Sequence, residues 1–322
     1  MSIEIVKPGI LSTLVGDERR GFRMIGVGGS GPLDAFAMQA ANFLVGNEAV
    51  AAVVEFHLPG PVISVLDDLV LASAGSGFEW QADGRNIPPW RAVKVKAGTT
   101  LTAVATGAGG IGYLAVHGGW IATEWLGSVT TSLAAGAGGR EGRALRKGDH
   151  LHTSDTQRTI TTNDFSWGLA QSQLDVVYAP PHEIRCIAGI EASYLSTDAY
   201  AQFTSQPFTI TAQRNRMGYR LAGPSLHLRR PLELVSSPVD AGVVQFLPDG
   251  QLIVLMADSQ TTGGYPRIAS VVKADLPRLA QRSTGDAVFF KMISITDAEA
   301  MLLSRSRHLA EIKARCLRRL SQ

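Results

Sequence analysis

Two segments carry side chains whose types and spacing suit chemistry. In "RNRMGYRLAGP" (214–224), Arg214, Arg216 and Arg220 surround Tyr219. If the segment is extended, alternation puts Arg216, Gly218 and Arg220 on one side. Guanidinium forks placed so can grip a carboxylate or phosphate through paired bonds. The same pattern also makes a plain basic strand face, and the residues leave both readings open. The second segment, "ADSQTTGGYPR" (257–267), follows the apolar run Leu252–Met256. A tight hairpin needs only two turn residues, so this polar stretch calls for another reason. Asp258 can accept a proton or orient a donor, and Gln260, Thr261 and Thr262 offer donors and acceptors. Gly263 and Gly264 let backbone amides approach a ligand, and Tyr265 can stack or donate. Neutral hydrogen-bonding groups without a metal or strong nucleophile suit recognition of an amide or ureide. The alternative is a wide structural loop whose hydroxyls satisfy one another.

Other motifs point away from familiar chemistries. In "GVGGSGPLDAFAMQ" (26–39), Gly26, Gly28 and Gly31 fit the G-x-G-x-x-G dinucleotide pattern ahead of a helix. That fingerprint requires a strand–helix–strand unit, whereas antiparallel-looking strands follow here. Gly107, Gly109 and Gly112 repeat the spacing but open a strand. The first-turn amides of the helix could still hold an anion, or Gly28–Gly31 is only a tight helix entry. No Walker A sequence is present, so ATP chemistry cannot rest on a P-loop. His150 and His152 share one side of a strand but lack the acidic or cysteine neighbours of a metal site. They read as a solvated pair. Ser128, Thr130, Thr131 and Ser132 cluster without a Gly-x-Ser-x-Gly elbow.

The elements that must position these groups follow from composition and pattern. A length of 322 residues predicts two domains. Hydrophobic content of 45%, only 18% charged residues, 34 glycines and 15 prolines suit strands and turns. A net charge of +2 gives no general reason to bind nucleic acid. The two cysteines, Cys186 and Cys316, argue against a disulfide framework and for a reducing cytoplasm. Neither a signal peptide nor an apolar run of about 20 residues is seen, so no membrane association is expected. Leu33–Val45 predicts a helix with Leu33, Phe36, Ala37, Ala40 and Leu44 on one face, Pro32 in its first turn and Ser30 as its cap. From Val53 to Val116, short β-branched runs broken by Pro-Gly-Pro, Asp-Gly and Pro-Pro predict an antiparallel sheet or barrel.

Residues 1–152 are assigned to a first domain, 153–175 to a linker with room for a short strand, 176–295 to a second domain and 296–322 to a basic helix. Glu191–Phe203 also predicts a helix. Echoes between the halves, such as "LPGPV" (58–62) and "LAGPS" (221–225), suggest two related β-rich domains. In the tail, Thr296 with Glu299 forms a capping box, and Met301, Leu302, Leu309, Ile312 and Leu320 make an apolar stripe. Its arginines read as a solvated face with last-turn cations that suit the helix dipole, or as a docking surface for an acidic partner.

Four segments together resemble the allophanate hydrolase subunit 2 family, also called the biotin-dependent carboxyltransferase family: "GPLDAFAMQAANFLVGN" (31–47), "GGREGRALRKGD" (138–149), "RMGYRLAGP" (216–224) and "ADSQTTGGYPRIASVVKADLPRLAQ" (257–281). They run in family order across nearly the whole chain. The resemblance implies a mainly β fold with two cyclophilin-like β-barrel domains. It favours the role of C subunit in a bacterial ATP-dependent 5-oxoprolinase, which opens the lactam of 5-oxoproline to glutamate. The rival roles are a carboxyltransferase component, receiving carboxyl groups from biotin carried by another protein, and a non-catalytic regulatory partner. The implied partners are a subunit 1-type protein (the 5-oxoprolinase B subunit) and a hydrolytic A subunit. The implied cofactor is ATP, with Mg, in the complex. Asp258 and Arg216 are then the expected catalytic residues. Arg220, Tyr219, Gln260, Thr261, Thr262, Gly263, Gly264 and Tyr265 are the expected substrate contacts, with no metal ligands in this chain. Two places depart from the family pattern. "VGDERRGFR" (15–23) keeps Asp17 and Gly21 but lacks the usual Gln and first Gly, and Val129 stands where members carry an Arg.

Overall fold

A computed structural model describes residues 1–107, 110–154, 160, 165, 167–179, 183–230 and 232–321. The chain divides into two compact units. One comprises Met1–Arg19, Asp34–Gln171 and Ser306–Gln322, the other Arg20–Leu33 and Ser172–Arg305. Residues 20–33 thus group with the second unit although they come early in the chain.

The first unit is built from two antiparallel sheets. One runs in the order His150–His152, Ser2–Lys7, Val62–Val65, Thr100–Ala105, Phe78–Ala82, Arg85–Ile87. The other runs Leu11–Val15, Val53–His57, Ile111–Val116, Leu69–Gly75, Arg91–Val95. Period-two burial drives the packing: Ile3 and Ile5 turn inward and join Phe56, Phe78 and Trp80 in one core shared by both sheets. Phe56 meets Phe78 and Trp80 edge-on, with centroids 5.0 and 5.4 Å apart, the arrangement that the ring quadrupole favours. Gly112 is required in this core, because a Cβ there would lie 2.2 Å from the Phe56 ring.

Every residue of Ile111–Val116 is buried, because its sheet is covered on its second face by the helix Ala35–Leu44. The predicted stripe of that helix is buried, but Ser30 is not its cap. Asp34 is, accepting a hydrogen bond from the Ala37 amide at 2.9 Å. Its carboxylate occupies the position that an anion would take at the first turn. His150 and His152 stand exposed on either side of buried Leu151.

In the second unit seven strands close a barrel in the order Glu183–Ala188, Arg267–Val271, Val243–Phe246, Leu252–Leu255, Gly218–Ala222, Phe208–Asn215, Ala287–Met292. The last returns parallel to the first, and closure of this kind pairs both edges of the sheet. Phe208 and Phe290 of the barrel pack with Phe203 of the helix Thr197–Ser205. The helix predicted over 191–203 is interrupted. Ala192–Tyr194 makes a single 3-10 turn, Leu195 is extended, and the α-helix Thr197–Ser205 starts only after Ser196 caps it.

Much of the predicted linker, residues 155–159, 161–164 and 166, lies outside the described residues. Its end is already helical, over Gln171–Tyr178. The C-terminal helix, Ile295–Leu320, starts ahead of the proposed capping box. Ser294 caps it, accepting from the Asp297 amide at 3.0 Å and donating to its carboxylate. The buried face near its end is Ile312, Cys316 and Leu320, while Leu302 and Leu303 are exposed.

Candidate functional site

The two segments first singled out are brought together by the pairing of Gly218–Ala222 with Leu252–Leu255. The ladder continues past both strands: the Met256 amide donates to the Met217 carbonyl at 3.0 Å, and the Asp258 amide to the Arg216 carbonyl at 2.8 Å. Arg216 therefore sits in the turn between strands, beside Asp258. Asn215 Oδ1 shapes that turn by accepting from the Met217 and Gly218 amides.

From there the Arg216 fork closes on the carboxylate, with Nε to Oδ2 at 2.7 Å and Nη2 to Oδ1 at 3.0 Å. Nη2 also donates to the Gly31 carbonyl at 2.7 Å. Ser30 donates its hydroxyl to Asp258 Oδ1. The Arg216 side chain is nearly buried at 7% exposure, and Asp258 retains 19%. The result is a neutralised, oriented carboxylate with a remaining opening to solvent, rather than an arginine with its fork turned outward.

The glycine-rich segment 26–31 supplies the third side of this group. Ser30 has φ of 54° and Gly31 of 102°, and a Cβ on Gly28 would stand 3.2 Å from the Ser259 carbonyl. Arg23 anchors the segment by an ion pair with Asp240 at 3.0 Å and a hydrogen bond to the Val239 carbonyl. The dinucleotide-like spacing thus encodes a strap on the 257–260 loop. The sequence draws attention to Ser30 but assigns it to the helix, since a serine before a helix is the commonest cap signal.

Arg220 and Tyr219 do not join the group. Arg216 and Met217 form the turn between the strands Phe208–Asn215 and Gly218–Ala222, so Arg220 lies further along the second strand, away from Arg216. It bonds to Gln251 at 2.9 Å and pairs with Asp249. Alternation over 216–220 fails because Arg216 belongs to the turn. Tyr219 points into the barrel, 1% exposed, and donates to the Ala280 carbonyl at 3.1 Å.

The remaining candidates line one ribbon. Thr262–Gly263 pairs with Ser237–Pro238, and the Thr261 carbonyl accepts from the Val239 amide at 3.0 Å. Gln260 and Thr262 are exposed, Thr261, Gly263 and Gly264 half-buried, and Tyr265 is 45% exposed. Arg267 ties the ribbon to the barrel by donating to the Pro238 carbonyl at 3.2 Å while its fork holds Glu191 at 2.7 and 2.9 Å. That fork holds the Glu191 carboxyl below its usual range. Gln245 lies beneath the ribbon, 1% exposed. In the sequence it is one polar residue in an apolar strand, a signal too weak to mark it.

The hydroxyl cluster of the first unit has a structural use. Thr130 Oγ1 accepts from the Gly16 amide, Ser128 donates to the Asp17 carbonyl and Thr131 to the Leu14 carbonyl. Val129 packs so closely that its Cγ2 lies 2.5 Å from where a Cβ on Gly16 would be. Val129 and part of the other departing segment therefore meet each other. Buried Arg19 donates to the Thr130 and Trp125 carbonyls and lies over the Trp125 ring at 4.4 Å. In 138–149, Arg143 binds Asp149 through two bonds of 2.7 and 2.8 Å, a loop staple.

Similarity to known proteins defines the family to which this chain belongs. Residues 25–292 match the family model described as carboxyltransferase domain, subdomain A and B, and the chain belongs to that family. It is 33% identical to the C subunit of 5-oxoprolinase from Haemophilus influenzae, over 92% of each chain. It is 35% identical to the corresponding C subunit from Escherichia coli, over 96% of this chain and 97% of that one. Putative urea carboxylase of Emericella nidulans is 30% identical over 89% of this chain, which spans only 24% of that protein.

Among solved structures, TTHA0988 matches with a TM-score of 0.77 and 32% identity, covering 90% of this chain, which spans 55% of that one. The Kluyveromyces lactis urea carboxylase matches with a TM-score of 0.87 and 25% identity, over 97% of this chain and 29% of that chain. These matches agree with the mainly β reading made from turns and composition.

Proposed function

We propose that this chain is the C subunit of an ATP-dependent 5-oxoprolinase complex, opening the lactam of 5-oxoproline to glutamate. The observation that carries the reading is identity of 33 and 35% to two bacterial 5-oxoprolinase C subunits over nearly the full length of each. The site is consistent with it. Net addition of water to a lactam needs a group that accepts and returns a proton and donors that hold the carbonyl oxygen. Asp258, aimed by Arg216 and Ser30, fits the first task. Thr261, Thr262 and the backbone around Gly263 and Gly264 fit the second. Arg216 acts through Asp258, because its Nε and Nη2 are committed to that carboxylate and to Gly31.

ATP and Mg are used by the complex in this reading. The residues present here do not fit a nucleotide: the site offers neutral donors and an ion pair closed on itself, and the sequence has no P-loop. Nucleotide contacts are therefore assigned to a partner, either the subunit 1-type B protein or the hydrolytic A subunit. We place the complex in the cytoplasm; no helix among the described residues is long and apolar enough to cross a membrane.

The family match and the urea carboxylase relative support a second reading, carboxyl transfer from biotin carried elsewhere to a urea-like amide. Purifying the tagged chain from its own cells separates the two. A and B subunits without biotin support the first reading, and a biotinylated companion supports the second. Recovery of only a subunit 1-type protein, with neither activity, would assign a regulatory binding role.

A further inference from the structure

Gln245 stands out as a polar side chain that is buried without a use. It lies on Val243–Phe246, where Val244 and Phe246 are paired with Val254 and Leu252 and face the barrel core. By alternation Gln245 faces outward, across from Ile253 and Arg267. An outward carboxamide is normally solvated, but this one is 1% exposed because the ribbon of Ser237–Pro238 and Thr262–Gly263 lies over it. Among the described residues, its Nε2 has no hydrogen-bond partner. Buried polar groups in folded proteins are nearly always satisfied, and the exceptions call for a reason.

The surroundings indicate what would satisfy it. A Cβ placed on Gly263 would lie 2.6 Å from Gln245 Nε2 and 3.6 Å from Gln260 Nε2. Both carboxamides therefore converge on the face of Gly263 where a side chain would stand, and Gln245 Nε2 packs against it. Gly263 is half-buried and Gln260 exposed, so this spot adjoins solvent. A carboxamide carries a donor and an acceptor on one planar edge. A lactam or a ureide carries the complementary pair, C=O beside N–H, on one edge as well. A carboxylate or a lactone does not.

We propose that Gln245 is a specificity-determining residue that reads the cis-amide edge of the substrate beside Gly263, donating from Nε2 to its carbonyl oxygen while Oε1 accepts from its N–H. The assignment rests on the amide-substrate reading and narrows it to ligands with adjacent C=O and N–H groups. It places the amide next to the Thr261–Gly264 ribbon and makes the glycine at 263 a requirement of fit.

The test uses the complex as purified from its own cells, wild type and Gln245→Leu, with Gln245→Glu as the variant that keeps shape and loses the donor. Binding of 2-pyrrolidinone and of γ-butyrolactone is followed by ligand-observed NMR, which needs no turnover. Turnover of 5-oxoproline and the melting temperature are measured in parallel. The expected result is lactam binding without lactone binding in the wild type and loss of lactam binding in both variants. KM should rise at least 10-fold with kcat changed less than about 3-fold, and melting should be unchanged or higher in Gln245→Leu, since an unpaired buried donor has been removed. Equal binding of lactam and lactone, or wild-type KM in the variants, overturns the assignment, as does a lower melting temperature with binding intact. Selective lactam binding by a wild-type complex that releases no glutamate removes the oxoprolinase reading and leaves the role of Gln245 standing.

Discussion

Arg216 and Asp258 show how a side chain's surroundings decide its use. A guanidinium exposed on a strand would be an anion grip; the same group at 7% exposure, bonded twice to Asp258 and once to Gly31, is a device for holding a carboxylate still. Removing one partner of such a pair leaves the other charged and partly buried, which costs about 3–5 kcal/mol when burial is complete. Asp258 keeps some solvent contact, so Arg216→Ala is expected at or below the lower end of that range. Arg216→Lys should fold with a smaller loss, because it restores charge but not the planar fork. Both should reduce turnover in the assembled complex more than 10-fold while KM changes less. Wild-type turnover in Arg216→Lys would show that orientation of Asp258 is not used.

The loop around Asp258 was legible because Gln, two Thr and two Gly after an apolar strand exceed what a plain turn needs. The roles of Ser30 and Gln245 were not. One meets Asp258 across more than two hundred residues of sequence, and the other depends on a ribbon that covers it.

At the scale of elements, ion pairs staple several loops to their neighbours. Arg267 holds Glu191 through its fork and its own amide, so the Glu191 carboxyl titrates below its ordinary value of 4.5. A depressed native value means that the unfolded chain binds the proton more readily. The pair therefore stabilises the protein above about pH 4.5, and this contribution is lost as pH falls through the depressed native value. Glu191→Gln should lower stability near neutrality by about 2 kcal/mol, as a charged hydrogen-bonded acceptor is lost. It should also flatten the acid limb of stability against pH, measured by denaturant unfolding at several pH values; an unchanged limb would assign acid sensitivity elsewhere.

In the 138–149 loop, Gly142 has φ of +68° and a Cβ there would lie 1.9 Å from the Gly136 carbonyl carbon. Gly142→Ala must both strain the backbone and push the loop apart, costing about 2 kcal/mol or more. A melting temperature within about a degree of wild type would show that the loop repacks freely.

Element types were readable from period-two runs and turn residues, and element limits less so. Asp34 and Ser294 took the caps because each lies where its carboxylate or hydroxyl meets the free amide, whereas Ser30 and Thr296 are the same residue classes a few positions away. Closure of the barrel pairs Glu183–Ala188 with Arg267–Val271 and Ala287–Met292, strands far apart in sequence that local patterns do not join.

For the whole molecule, one β-rich unit is a seven-stranded closed barrel and the other is two sheets around one aromatic core. The early segment 20–33 groups with the later unit, which no composition shift announces; its Gly28 and Ser30 meet the 257–260 loop. Near-full-length similarity to 5-oxoprolinase C subunits, together with the Arg216–Asp258–Ser30 group, makes amide opening the central claim. Its most direct test is glutamate formation from 5-oxoproline by the complex purified from its own cells, measured with and without ATP and with avidin present. The account predicts glutamate in step with ATP hydrolysis, unaffected by avidin. No glutamate under these conditions, with ATP consumed only alongside bicarbonate and a urea-like amide and blocked by avidin, would contradict it.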